Sequence, residues 1–163
     1  VTGALTQDAD VPAGNYDWQV AHGRFETAND RIISAAFDVQ CCGFYNGHML
    51  QTDTTINLHP DDTLTFSGRH IMQLIGLPTG HVAIHIGSID AALNFTPDMQ
   101  LRMQAQYDNI SENLGYSVRY RWEFDPGSEL LVVVGDDATV NALGRYESHL
   151  SQVSVRIGHL FRA

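Results

Sequence analysis

The feature that most constrains this chain is a strict alternation of apolar and polar side chains between residues 99 and 125. Apolar residues occupy every second position from Met99 to Tyr107, and polar residues fill the positions between them. The same pattern returns from Tyr116 to Asp125. A period of two places successive side chains on opposite faces of a β-strand, whereas a helix repeats every ~3.6 residues. The two segments therefore predict a β-hairpin with one apolar and one polar face.

Further segments share this alternation less cleanly, and together they give nine candidate strands. Turn signals rich in Pro, Gly, Asn and Asp separate them, and no helix cap precedes a helical apolar period. Most candidates exceed the about 5–6 residues typical of soluble domains and suit a tilted bilayer crossing of about 9–11 residues. We therefore expect an all-β fold, an antiparallel up-and-down meander that forms a transmembrane β-barrel or the C-terminal part of one. The candidates are Tyr16–Phe25, Arg31–Tyr45, His48–His59, Thr63–Ile75, His81–Phe95, Met99–Asp108, Tyr116–Asp125, Ser128–Gly135 and His149–Arg162.

Residues 1–163 are expected to form one β-barrel segment, the C-terminal piece of a longer chain. If the C-terminus lies in the periplasm, the turns at 28–30, 59–62, 96–98 and 125–127 lie on that side, where membrane barrels keep their turns short. The longest connection, from Asp136 to Ser148, then lies outside. Because bacterial barrels have an even number of strands, nine strands require either missing strands at the N-terminal end or a tenth strand at Val1–Gln7.

Alternation alone does not decide which face is wet, because soluble barrels turn the apolar face inward and membrane barrels turn it outward. All nine basic residues are arginine, and lysine, the usual residue for solvating an exposed strand, is absent. This favours a polar lumen and an apolar surface in lipid. The expected lumen-facing polar residues are Gln100, Arg102, Gln104, Arg119, Arg121 and Glu123, and the expected lipid-facing residues are Met103, Tyr107, Val118, Tyr120 and Trp122.

The arginines of the predicted hairpin allow two interpretations. Arg102, Arg119 and Arg121 form either a solute-selective ring, as charged rings do in pores, or an internal ladder of ion pairs with nearby carboxylates. A hairpin centred between residues 112 and 113 places Arg102 opposite Glu123, whereas a centre one residue earlier places it opposite Arg121. The first register is favoured, because opposite charges across a strand pair contribute about 0.2–1 kcal/mol.

Metal and thiol chemistry have little support in the sequence. His81 and His85 share a strand face but lie about 13 Å apart at ~3.3 Å per residue, too far to hold one ion, although His70 can approach one of them across the turn at 77–80. We therefore expect histidines of the lumen or rim, with no metal and no cofactor. Cys41 and Cys42 are interpreted as small apolar fillers, because neighbouring strand side chains point apart.

Catalysis and nucleic-acid binding are also unsupported. The chain contains no Gly-x-Ser-x-Gly elbow and no His-Glu-x-x-His sequence, and a phosphate-binding loop needs a lysine that is absent. The acidic pair Asp136 and Asp137, together with Asp8 and Asp10, is expected in solvated loops, with attraction of divalent cations at an exposed loop as the less favoured alternative. With 19 acidic residues against nine basic ones, the net charge of −10 repels nucleic acid. The chain is predicted not to be an enzyme and to have no nucleic-acid partner.

Residues 94–131 resemble a known family. The matching elements are the turn at Phe95–Pro97, the segment Gln106–Asn109, the strand around Arg119–Trp122 and the turn at Pro126–Ser128. They resemble the C-terminal β-barrel domain, of undefined function, in bacterial outer-membrane proteins that carry an N-terminal carbohydrate-binding module similar to family nine. Upstream segments at 13–16, 44–47 and 77–80 fit more loosely. The resemblance implies an outer-membrane location and a longer parent. The chain departs from it by lacking the sugar module and by ending Leu160-Phe161-Arg162-Ala163 instead of on an aromatic residue.

The leading expectation is a bacterial outer-membrane β-barrel segment that acts as a pore or membrane scaffold, with the link to carbohydrate binding or uptake implied by the resemblance. Its expected partners are outer-membrane lipid, carbohydrate, and further β-strands or subunits that complete the barrel. The alternative is a soluble lipocalin-like barrel in which Trp122, Tyr120 and Met103 line a cavity for a small apolar ligand. A third reading is a structural protein that pairs through exposed strand edges.

Overall fold

Nine β-strands form one sheet in the computed structural model, which describes residue 11 and residues 13–140 and 145–159. All neighbouring pairs are antiparallel and consecutive in the chain, so the predicted all-β, up-and-down meander is confirmed. Among the described residues there is no helix long and apolar enough to cross a membrane. The strands are β1 (Val20–Glu26), β2 (Ile33–Phe44), β3 (Gly47–Leu58), β4 (Leu64–Leu77), β5 (Gly80–Thr96), β6 (Met99–Asp108), β7 (Asn113–Asp125), β8 (Ser128–Val140) and β9 (Tyr146–Gly158).

Local side-chain chemistry fixes where the strands turn. Asp61 lies in the turn between β3 and β4. Its Oδ1 accepts hydrogen bonds from the backbone N–H groups of Thr63 and Leu64 at 2.9 and 3.1 Å, which fixes the start of β4. Between β7 and β8, Pro126 is followed by Gly127 with φ of 79°, the left-handed value that a type II turn requires at that position. These are the turn signals that the sequence predicts.

The prediction of a long outer connection from Asp136 to Ser148 is wrong. Strand β8 continues to Val140 and β9 begins at Tyr146, so the acidic pair lies in the ladder, where Asp136 pairs with Ser151. Asp136 is only 9% exposed, and its carboxylate accepts hydrogen bonds from the hydroxyl groups of Ser148, Ser151 and Tyr146. A carboxylate that is bonded in this way is satisfied inside a sheet. The predicted tenth strand at Val1–Gln7, residues 160–162 of the predicted last strand, Asp8 and Asp10 lie outside the described residues.

The register expected for the β6–β7 hairpin is also wrong. Arg102 pairs with Arg119, and not with Glu123 or Arg121. The reason lies in the turn, which spans residues 109–112 and is built on Asp108. The Asp108 carboxylate accepts bonds from the Ile110 N–H at 2.7 Å and from the Ser111 hydroxyl at 2.6 Å. This capping closes the hairpin two residues earlier than the favoured centre.

Strand β5 extends beyond β6, and the side chain of Asn109 hydrogen-bonds to the part of β5 that has no partner on β6. The register ends at Ile86 opposite Asp108, which leaves β5 residues 80–85 without partners on β6. Asn109 Oδ1 accepts the His85 N–H at 2.6 Å, and its Nδ2 donates to the Ala83 carbonyl at 2.9 Å. The amide therefore replaces two ladder hydrogen bonds at the step between the hairpins.

Cys41 and Cys42 are joined by a vicinal disulfide, so their interpretation as separate apolar fillers is corrected. That interpretation assumed regular strand geometry, in which neighbouring side chains point apart. Cys42 instead has φ of 105°, and this departure from the extended backbone brings the two side chains together.

Strands β1 and β9 are the two edges of the sheet, which is open across the described residues. Because nine strands alternate in direction, β1 and β9 run the same way. Direct closure would require a parallel pair in a sheet whose pairs are otherwise antiparallel. The edges are therefore suited to additional antiparallel strands.

Candidate functional site

The register divides the sheet into one polar and one apolar face. A single row across β2–β9 is polar throughout except for one glycine, and the adjacent row on the opposite face is entirely apolar. The polar row is Ser34, Asn57, Ser67, Asp90, Gln104, Ser117, Gly135 and Gln152. The apolar row is Ile33, Leu58, Phe66, Ala91, Met103, Val118, Val134 and Val153.

The residues predicted from sequence divide between these faces. Alternation along β6 and β7, together with their pairing, brings the predicted polar set onto the face of Asp90 and Ser117 and the predicted apolar set onto the opposite face. On the polar face lie Gln100, Arg102, Gln104, Arg119, Arg121 and Glu123, and on the apolar face lie Met103, Tyr107, Val118, Tyr120 and Trp122.

Ion pairs form a ladder along the polar face. Arg102 contacts Asp90 on β5 at 3.0 Å, and Gln104 donates to the same carboxylate at 2.7 Å. Arg121 contacts Glu123 on its own strand at 2.9 Å and Glu129 on β8 at 3.3 Å. These contacts belong to the ladder interpretation of the hairpin arginines, with Asp90 and Glu129 as carboxylates that the sequence did not single out.

The ladder continues over the first four strands, for which the sequence predicted no lumen-facing residue. Arg24 contacts Asp38 at 3.3 Å and Glu26 at 2.9 Å, and Arg69 Nε donates to Asp53 Oδ1 at 2.9 Å. The signal for these pairs was present in the sequence, because each charged residue occupies the alternate position to the apolar ones. The pairing of β3 with β4, and its register, were needed to bring Arg69 next to Asp53.

Arg119 differs from the other arginines of this face. It is exposed and lies directly opposite Arg102, and its side chain has no hydrogen bond or ion pair with any residue in the described part of the chain. Its partners in the register are Arg102 on β6 and Val133 on β8, neither of which supplies a negative charge.

A cavity of about 770 Å³ lies against the polar face. Its lining includes residues from every strand between β3 and β9, and most of them belong to the polar face. A trough shared by seven consecutive strands indicates that the sheet curls around this face. The polar residues lining it include Thr55, Arg69, Asp90, Gln104, Ser117, Asp137 and Gln152.

The apolar face leaves many large hydrophobic side chains accessible. Their exposed fractions run from 37% for Leu74, Tyr107 and Val134 to 72% for Val153 and Ile157. Soluble proteins rarely expose one continuous apolar surface of this extent, because water does not solvate it favourably. Other exposed members of this face are Phe25, Ile33, Phe37, Ile56, Ile89, Met103, Tyr116, Trp122, Phe124 and Val155.

Aromatic residues on the apolar face concentrate toward the strand ends. Trp122 and Phe124 contact each other near the β7–β8 turn, with ring centroids 5.8 Å apart. Toward the opposite ends of β6 and β7 lie Tyr107 and Tyr116, while the middle of the face carries aliphatic residues such as Met103. Tyr120 and Phe37 lie between the two zones. Aromatic belts of this kind occur where a membrane protein meets the interface.

A second aromatic group packs beside the β2–β3 turn, where sequence reasoning had singled out only a turn signal. Trp18 lies against Tyr45 with ring centroids 4.9 Å apart, and Phe44 and Tyr16 contact the same tyrosine. Tyr45 has a φ of 51°, which turns the chain sharply at this point.

His70 and His85 meet on the apolar face. The sequence analysis allowed His70 to approach either His81 or His85 across the β4–β5 turn. His85 Nδ1 and His70 Nε2 are 3.3 Å apart, and the two rings stack. Each ring thereby satisfies one polar nitrogen of the other. No group of three or more His, Cys, Asp or Glu suited to a metal ion is present in the part of the chain that the structure describes.

Ser128 makes a buried contact that the sequence did not predict. It is fully buried at the start of β8, and its hydroxyl hydrogen-bonds His159 Nδ1 just beyond β9. Because the hydroxyl has no access to solvent, this contact ties the β7–β8 turn to the end of β9 and offers no nucleophile to a substrate.

Comparisons of the chain with protein-family models, with curated proteins and with solved structures found no match.

Proposed function

We propose that this chain is a segment of a bacterial outer-membrane β-barrel, acting as a pore or as a membrane scaffold without enzymatic activity. The observation that carries the proposal is the pair of adjacent rows across β2–β9. One row is apolar from Ile33 to Val153, and the next is polar from Ser34 to Gln152. Membrane barrels have this arrangement, with apolar side chains in lipid and polar ones in the lumen.

Three further features support the proposal. The strands of the main hairpins have 10–17 residues, enough for a tilted bilayer crossing. The ion-paired face borders the 770 Å³ cavity, as a lumen would. The edges β1 and β9 are available for further strands or subunits. Carbohydrate as a partner rests on the family resemblance of residues 94–131 alone.

The soluble alternative is a lipocalin-like barrel that encloses an apolar ligand. It requires Trp122, Tyr120 and Met103 to line an interior cavity. Met103 and Trp122 are instead 46% and 40% exposed, and neither lines the cavity against the polar face. These observations favour the membrane proposal over the soluble one.

Lipid contact of Trp122 tests the proposal directly. The Trp18→Phe variant leaves Trp122 as the sole tryptophan, because the chain has two. After refolding into phosphatidylcholine vesicles, brominated acyl chains are expected to quench its fluorescence. A monodisperse protein in detergent-free buffer, with β-type circular dichroism and no quenching by brominated lipid, would contradict the proposal.

A further inference from the structure

One arginine on the polar face of the described strands has no carboxylate partner among the described residues. Every other arginine on the polar face of the described strands contacts a carboxylate, and only Arg119 contacts none. A guanidinium carries five N–H donors in a planar fork, so an unoccupied one has a large capacity to bind an acceptor.

The neighbours of Arg119 increase the local positive charge. Arg102 lies directly opposite on β6, and Arg121 follows two residues later on the same face. Their nearest carboxylates are already engaged, because Arg102 binds Asp90 toward β5 and Arg121 binds Glu129 toward β8. The guanidinium groups of Arg102 and Arg121 thus point toward β5 and β8 respectively. Arg119 receives no counter-charge from the described residues.

Neutral hydrogen-bonding groups complete the surroundings. Ser117 precedes Arg119 on the same face, and Gln104 lies opposite Ser117. Both residues line the cavity against the polar face, and Arg119 lies next to Ser117 on this face, beside the cavity lining. The Ser117 hydroxyl is therefore a further donor beside Arg119, while the Gln104 amide already donates to Asp90.

We propose that Arg119 binds a small oxyanion, such as a carboxylate or phosphate group of a solute on the polar face. A guanidinium matches the two oxygens of such a group in bidentate fashion. This inference rests on the proposed function in one respect, that the polar face is open to solutes, and it specifies their chemical class. The anion replaces the counter-charge that the neighbouring arginines obtain from carboxylates.

Calorimetric titration with inorganic phosphate tests the site, using the whole chain refolded in a non-ionic detergent at constant ionic strength. We expect saturable binding of one phosphate. The Arg119→Gln variant is expected to bind at least tenfold more weakly, because the substitution removes the charge and the fork. Arg119→Lys keeps the charge alone and is expected to fall between the two. Since the Arg119 side chain makes no hydrogen bond or ion pair with the described residues, these substitutions remove no such bond from the described part of the fold.

The matched control is Arg24→Gln, which removes a distant arginine that already contacts Asp38 and Glu26. Phosphate binding by this variant is expected to be unchanged. Undiminished binding by Arg119→Gln, equal weakening in the control, or no saturable binding by the unsubstituted chain would overturn the site. Lipid quenching of Trp122 distinguishes the two proposals. Quenching without phosphate binding rejects only the anion site, and phosphate binding without quenching rejects only the membrane assignment.

Discussion

Asp38 and Asp53 lie directly opposite each other on β2 and β3, so that two carboxylates face across one strand pair. Like charges in this position are destabilising by themselves. Arg24 contacts Asp38 from β1, and Arg69 binds Asp53 from β4. Arg24, Asp38 and Asp53 lie in one cross-strand row, and Arg69 reaches Asp53 diagonally from β4, so the two negative charges are held between two positive ones. The acidic pair is thus tolerated because each member has its own guanidinium on the outer side.

Removing one guanidinium is expected to expose this repulsion. Arg69→Leu leaves Asp53 facing Asp38, and we expect the free energy of unfolding to fall by about 1 kcal/mol, the upper value for a partly exposed pair. Adding Asp53→Asn removes the repulsion and is expected to restore most of the loss. Urea unfolding in detergent micelles measures both. A double variant as unstable as Arg69→Leu would contradict this account of the row.

The two faces are expected to differ sharply in their tolerance of a new charge. Val118 and Ser117 are neighbours on β7, one in the apolar row and one in the polar row. If the apolar face contacts lipid, Val118→Arg is expected to cost about 2–4 kcal/mol near the bilayer midplane. Ser117→Arg, the matched control, places the same charge at the same depth in the trough.

Refolding yield into phosphatidylcholine vesicles, followed by electrophoretic mobility with and without heating, measures this difference. We expect Ser117→Arg to insert like the unsubstituted chain and Val118→Arg to insert poorly. Equal insertion of the two variants, or the reverse order, would argue against lipid at the apolar face.

Asn109 is expected to be the most sensitive residue of the turns. Its side chain makes two hydrogen bonds to the unpaired edge of β5, at His85 and Ala83. Asn109→Ala leaves both backbone groups without these partners, and we expect a loss of about 1–3 kcal/mol. Faster hydrogen exchange at the His85 amide is the local measurement. Asn113→Ala, in the same hairpin, is the control, because its side chain makes no hydrogen bond to a described residue. A comparable effect there would refute the capping role.

The division into faces was predictable from sequence, whereas the pairing was not. Side-chain alternation fixes which face Arg102 and Met103 occupy, whatever the register. An error in register by an even number of positions moves a residue along a face without moving it off that face. The predicted and observed partners of Arg102 are Glu123 and Arg119, four residues apart on the same face of β7. The residues predicted to share a face therefore do share it, whereas the cross-strand partners within that face differ from the predicted ones.

The wrong predictions of the outer loop and of the hairpin register both concern aspartates that can serve more than one structural role. Asp136 suggested a solvated loop, but three hydroxyl groups satisfy its carboxylate within the sheet. Asp108 was read as the end of a strand, but it also caps the turn and so sets the register. An Asp followed three residues later by Ser111 was the available signal for that cap. The partners of Arg24 and Arg69 required knowledge of which strands are neighbours, which alternation does not contain.

The β9 edge provides the last prediction. Val153, Val155 and Ile157 are 62–72% exposed, and β9 has a strand neighbour only on its β8 side in the described part of the sheet. Neither proline nor lysine protects this edge, so it is suited to pair with another strand. In the chain alone in micelles, alternate β9 amides, those not bonded to β8, are expected to exchange with deuterium rapidly. Pairing with a further strand or subunit would protect them. Complete protection in the isolated monomeric chain would show that the sheet closes on itself and needs no added strand.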